Sequence, residues 1–200
     1  MSTSRDMILA AVRANAPSPA VPMPCIPTFE RDVPSLLDSF RSGFELLGGT
    51  FVDYAPGTDL NAKIAELFPQ AKVICSATPE VAGTRRLQDI KRPADLDDVD
   101  VAVVRPAFAV AETGSIWLSE AELGVNALGY LAQHLVALLD PADIVANLHD
   151  AYKDPRFMTA NYAVLMSGPS ATADIEGVLI RGAQGIRSLK LIPAPRGNRE

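Results

Sequence analysis

The sequence predicts an α/β fold, an open and mostly parallel sheet with helices on both faces. Three observations carry this expectation. Apolar runs of strand length occur at 101–104, 135–139, 162–166 and 188–192. Stretches of helical spacing and capping alternate with them, the order that builds parallel strands joined by helical crossovers. Hydrophobic residues make up 48% of the 200, enough for one full core.

Thr3 and Asp6 stand at capping-box spacing, and 3–14 reads as an amphipathic helix within an arm over 1–15. Pro17, Pro19, Pro22, Pro24 and Pro27 make 16–30 an extended linker, because proline disrupts helices and central strands. An α/β domain is expected over 31–195. In 32–47, Leu36, Leu37, Phe40, Phe44 and Leu47 recur at helical spacing, and Gly48-Gly49 ends the helix. A strand begins at Phe51, a helix covers 59–68 and a strand 72–75. A short helix is expected over 83–89 and a charged loop over 91–100. After the 101–104 strand, 107–119 holds one or two strands around Glu112.

The strand at 135–139 leads into Asp140-Pro141-Ala142-Asp143. A cap, a proline at the first position and an acid in the first turn predict a helix to about Tyr152. The strand at 162–166, a Gly-Pro-Ser turn, a helix over 175–181 and a strand over 188–192 complete the domain. The tail 193–200 is expected to be disordered.

Two segments point to a site. The first is Gly168-Pro169-Ser170-Ala171-Thr172-Ala173-Asp174-Ile175-Glu176, between an apolar strand and an expected helix. Strand, glycine turn and helix start aim unpaired N–H groups at a ligand, and the helix dipole favours an anion there. Gly168, Pro169, Ser170, Thr172 and Asp174 are the candidates, and Asp174 and Glu176 would compete with the anion. Ordinary helix capping explains the same residues. The second segment is Ala111-Glu112-Thr113-Gly114-Ser115, also between apolar runs. A carboxylate there needs partners or a ligand, and glycine permits close backbone approach. A bulge or tight bend with an exposed Glu112 is the alternative.

These residues carry a resemblance. Ser4-Arg5-Asp6 before Ile8-Leu9-Ala10-Ala11-Val12-Arg13, the Ala-Glu-Thr-Gly-Ser run and the Gly-Pro-Ser-Ala-Thr-Ala-Asp-Ile-Glu run resemble the lactate-utilization protein C family, whose module is the LUD domain. Arg181-Gly182-Ala183-Gln184-Gly185 sits where that family has a Gly-x-His-Gly-Pro turn, which adds Gln184 to the candidates. Ala171 stands where many members carry Arg or Lys. The resemblance implies a fold like that of ribose-phosphate isomerases and CoA transferases. It also implies a place beside iron–sulfur partner proteins in the oxidation of L-lactate to pyruvate.

Three functions are then expected. The first is a non-redox subunit or accessory protein of that oxidation. The second is a free-standing transferase, isomerase or ligase acting on a phosphorylated or CoA-linked substrate. The third is a degenerate interaction module. In the functional readings Ser170, Thr172 and the turn amides hold a small anionic ligand. Glu112 is the candidate catalytic residue, as base, nucleophile or hydrogen-bond acceptor, with Thr113, Gly114 and Ser115 beside it. Both motifs are expected at strand carboxyl ends on one rim, where open α/β sheets bind ligands.

Composition narrows the classes. A net charge of −6 argues against nucleic acid and anionic membranes. No run has the length of a membrane helix and the first residues lack a signal-peptide core, so the expected location is the cytoplasm. Two cysteines, Cys25 and Cys75, cannot supply the four thiolates of an iron–sulfur cluster and read as free thiols. Clusters are expected only in the partners, and no cofactor in this chain. His134 and His149 are the only histidines, and no metal site is expected. Gly-x-Gly-x-x-Gly and the P-loop pattern are both missing.

Overall fold

The computed structural model describes residues 3–16, 24, 27 and 35–196. The chain divides into two compact units between Arg31 and Asp32. In the first, α1 (Ser4–Ala14) starts at Thr3, whose side chain accepts from the Asp6 amide while the Asp6 carboxylate takes the Thr3 N–H. The capping box read from the sequence is therefore present. The expected linker over 16–30 lies outside the described residues, apart from Ala16, Pro24 and Pro27.

The second unit is built on a six-stranded sheet in the order β1-β12-β7-β4-β2-β3, every neighbouring pair parallel. Its strands are β1 (Thr50–Phe51), β2 (Ile74–Ser76), β3 (Arg85–Arg86), β4 (Val101–Val104), β7 (His134–Leu139) and β12 (Ser188–Pro193). Both faces are covered, so the central strands are apolar throughout rather than alternating. On one face Ala102, Val104, Leu135 and Ala137 pack with Phe40 and Phe44 of α2 (Leu36–Leu46). On the other, Val101, Val103, Val136 and Leu138 pack with Ile64 of α3 (Leu60–Leu67). The structure thus has the expected fold class.

A second, mixed sheet has the order β8-β5-β6-β9, from β5 (Phe108–Val110), β6 (Ser115–Ser119), β8 (Ile144–Val145) and β9 (Ala163–Met166). Ala109, Ile116 and Leu118 extend the Phe40–Phe44 core. Phe108, Val110 and Trp117 face the other way, onto residues of α6 (Leu148–Tyr152) and α7 (Arg156–Thr159).

Several expectations change. The helix over 140–152 is broken. Asp140 caps only a single 3-10 turn, Pro141–Asp143, because Ile144 and Val145 pair with Ala109 and Val110 of β5. A new cap, Asn147, then starts α6. The helix over 175–181 does not form. Glu176 takes φ +55°, and Ile180–Arg181 (β11) pairs back on Ala171–Thr172 (β10) as an antiparallel hairpin. The expected helix over 83–89 is β3 followed by a 3-10 turn at Leu87–Asp89. Two one-turn helices, α4 (Glu120–Leu123) and α5 (Leu128–Leu131), lie where the sequence suggested none. In the tail, Pro193 ends β12 and the Arg196 amide donates to Asp140 Oδ2 at 3.0 Å, so 193–196 are ordered.

Glu120 ties α4 to the start of β9. Its carboxylate accepts from the Asn161 N–H at 2.9 Å and the Tyr162 N–H at 3.0 Å. These amide contacts, Asn161 first, hold its pKa down to about 2. A depressed native pKa adds stability above the unfolded value, about 4.3 for Glu. That contribution fades as pH falls from there through about 2. Urea midpoints measured against pH should therefore drop across this window in the wild type and drop less in Glu120→Gln. Equal acid slopes would remove Glu120 from the acid limb.

Candidate functional site

The chain places both motifs at one end of the mixed sheet. The Glu112 segment is the turn between β5 and β6, and the Gly-Pro-Ser segment follows β9, which pairs with β6 from Ile116↔Met166 onward. They are thus at the carboxyl ends of β5 and β9. The Gly-Pro-Ser turn is not on the carboxyl rim of the parallel sheet, since it bonds to the residues just before β12. The Ser170 N–H donates to the Ile186 carbonyl at 3.1 Å, and the Ser170 hydroxyl donates to the Gln184 carbonyl.

Each motif glycine backs onto α2 or its end. A Cβ on Gly114 would lie 2.2 Å from the Phe44 nitrogen, and one on Gly168 2.3 Å from the Leu47 oxygen. Both take positive φ, +61° and +80°. Glycine at these two positions lets the loops touch helix backbone.

The polar side chains have local partners. Glu112 Oε2 accepts from the Leu148 N–H at 3.1 Å, and the Glu112 N–H donates to the Ala146 carbonyl at 3.1 Å. This carboxylate therefore meets the first turn of α6, where an acid is favourable. Thr113 and Ser115 share a hydrogen bond of 2.5 Å between hydroxyls, and Ser115 is buried. Thr172 Oγ1 accepts from the Asp174 N–H at 3.2 Å in the turn entering the hairpin, and Asp174 itself is exposed.

A cleft of about 380 Å³ opens between β9, the Gly-Pro-Ser turn, α5 and the 184–186 turn. It gathers Gly168, Pro169, Ser170 and Gln184 with Tyr130, Met166 and Ile186. Glu112, Thr113, Gly114, Ser115, Thr172 and Asp174 do not line it. The lining carries no basic side chain, and the helix whose amides were to hold an anion is absent. Tyr130 bonds to the Tyr162 hydroxyl, and burial, then that bond, push its phenol well above the ordinary tyrosine range.

The sequence reading missed a second polar cluster, beyond the carboxyl ends of β2, β4, β7 and β12. Thr78 donates to Glu80, whose other oxygen lies 2.6 Å from Arg105 Nε. Arg105 also donates to the Ala194 carbonyl at 2.9 Å. Arg196 reaches Asp143 at 3.1 Å and the Pro106 carbonyl at 3.1 Å. The available signal was position. Arg105 and Asp140 each directly follow an apolar strand.

Among the described residues no group of three or more His, Cys, Asp or Glu could hold a metal ion, and no helix is long and apolar enough to cross a membrane. Cys75 is a free thiol in the core, its pKa raised by burial, and Cys25 lies outside the described residues.

The LUD domain matches residues 80–192, a stretch that includes both motifs. The fold is similar to the crystal structure of a DUF162 family protein from Deinococcus radiodurans. The TM-score is 0.58 at 18% identity, covering 78% of this chain and 94% of that one. Among curated proteins nothing matches.

Proposed function

The chain belongs to the LUD-domain family, a lactate-utilization-related family, and from this premise we propose that it is a non-redox subunit in the oxidation of L-lactate to pyruvate. In this proposal it works in the cytoplasm beside iron–sulfur proteins. Converting lactate to pyruvate releases two electrons, about the task of a metal cluster or organic cofactor. This chain's two cysteines cannot ligate a four-thiolate cluster, and in this proposal the iron–sulfur partners take the electrons.

One observation supports the accessory role most. The family match spans both motifs, and their side chains are engaged in holding the fold: Glu112 on α6, Ser170 on the 184–186 turn, Thr113 on Ser115. The cleft beside Ser170 and Gln184 is then the place for a small acid or for a partner's side chain. Its polar contacts come from main chain and hydroxyls rather than from a cation.

Deleting the gene should abolish or strongly slow growth on L-lactate and leave growth on glucose unchanged. Restoring the wild-type chain should restore it. Unchanged growth on L-lactate, in a strain with no second copy, would overturn the role. Turnover of a CoA thioester or a phosphorylated substrate by the isolated chain would favour the transferase or isomerase reading instead.

A further inference from the structure

We propose that the cleft at the amino ends of β4, β7 and β12 is a separate binding site for a small oxyanion, a carboxylate or a phosphate, with Arg187 as its cation and His134 in its wall. The cleft has a volume of about 360 Å³ and is lined by Phe68, Gln70, Asp100, Gln133, His134 and Arg187, among others. It adjoins the 184–187 loop, yet shares no lining residue with the Gly-Pro-Ser cleft.

The geometry points to an anion. Arg187 is exposed and forms no ion pair among the described residues, while its backbone N–H is fixed on the Gln133 carbonyl at 2.8 Å. Its main chain is thus fixed at the cleft, and its guanidinium lines the cleft with no ion-pair partner among the described residues. A second cation, Lys190 Nζ, stands 5.7 Å from the centre of the Phe68 ring. The one acid in the wall, Asp100, is already engaged: its Oδ2 accepts the N–H groups of Lys72 at 2.7 Å and Val73 at 2.9 Å. His134 is fixed as well, with Nδ1 2.8 Å from Ser188 Oγ and its ring 5.0 Å from that of Phe68. Phe68 and Leu67 add an apolar wall for the body of an organic anion.

The local field agrees with this in a chain of net charge −6. Burial, then Arg187 and Lys190, push the His134 pKa below its ordinary value, and Asp100 opposes them more weakly. An anion seated by Arg187 would relieve that repulsion. Arginine pairs readily with carboxylate and phosphate oxygens.

With only two histidines, the imidazole proton NMR signals of the full chain report the site directly, and His149 on α6 serves as the internal reference. The two are assigned with His149→Gln. The pH titration is run in sodium chloride alone, then with inorganic phosphate or pyruvate at matched ionic strength. Either oxyanion should raise the His134 pKa by about half a unit or more and leave His149 where it was. A response to phosphate alone identifies a phosphate-bearing ligand, and a response to pyruvate identifies a carboxylate. In Arg187→Gln the His134 pKa should start higher and the anion response should vanish. The proposal is overturned if neither anion moves His134, if His149 moves equally, or if Arg187→Gln keeps the full response.

Discussion

Gly114→Ala should destabilise the protein by about 2–5 kcal/mol, from a left-handed backbone penalty of roughly 1–2 and an overpacking term of roughly 1–3. The new Cβ would meet backbone, 2.2 Å from the Phe44 nitrogen and 2.4 Å from the Gly43 carbonyl carbon. Backbone in the middle of α2 cannot swing aside as a flexible side chain does. In a domain of this size each kcal/mol lowers Tm by about 2–4 °C. Gly57→Ala is the control, since Gly57 takes φ +89° but a Cβ there has open space. It carries the backbone penalty without the clash. If the two variants melt together, the close approach of the Glu-Thr-Gly-Ser turn to α2 is wrong. The expected difference also makes the motif glycine a requirement of the fold, before any ligand is considered.

Trp117→Ala should lose about 3–5 kcal/mol, the usual range for a fully buried large aromatic. Trp117 is 1% exposed, stacks on Phe108 at 5.3 Å and meets Phe157 at 5.8 Å, with the Arg156 guanidinium 6.0 Å away over its ring. This cluster joins the mixed sheet to α6 and α7. Trp117→Phe should behave differently. The indole N–H is buried without a hydrogen-bond partner among the described residues, so phenylalanine removes an unsatisfied donor along with part of the packing. Its loss should stay below about 1.5 kcal/mol. Both variants remove the N–H, so the difference between their urea melts reports the aromatic packing, and a Trp117→Phe loss as large as that of Trp117→Ala would overturn this expectation.

Some of the architecture was legible residue by residue. The Thr3–Asp6 box and the Phe40–Phe44 spacing predicted α1 and α2, and the helix expected over 59–68 is α3, because caps and helical periodicity are local. Val101–Val104 is apolar without alternation because it is covered on both faces, and that too can be read from the run. Both motifs were visible as polar, glycine-bearing interruptions between strands. The resemblance they carry pointed to the LUD domain, which matches 80–192.

What the sequence by itself determined is therefore the class of fold, most of its strands and the family. Tertiary structure alone decided the rest. Asp140-Pro141 has every local mark of a helix start, yet Ile144 and Val145 form a strand because β5 offers an edge to pair with. The 175–181 stretch becomes a turn and the second strand of a hairpin because Ile180 and Arg181 find partners at Thr172 and Ala171. Glu112 meets the amide of Leu148, 36 residues away, and Gly114 meets α2, so neither role is visible from adjacent residues. Arg105 and Arg196 reach their carbonyl partners across 89 and 90 residues. Caps and periodicity act within a turn or two of chain. Strand pairing, close backbone approach and ion pairing act between segments that only the folded sheet brings together.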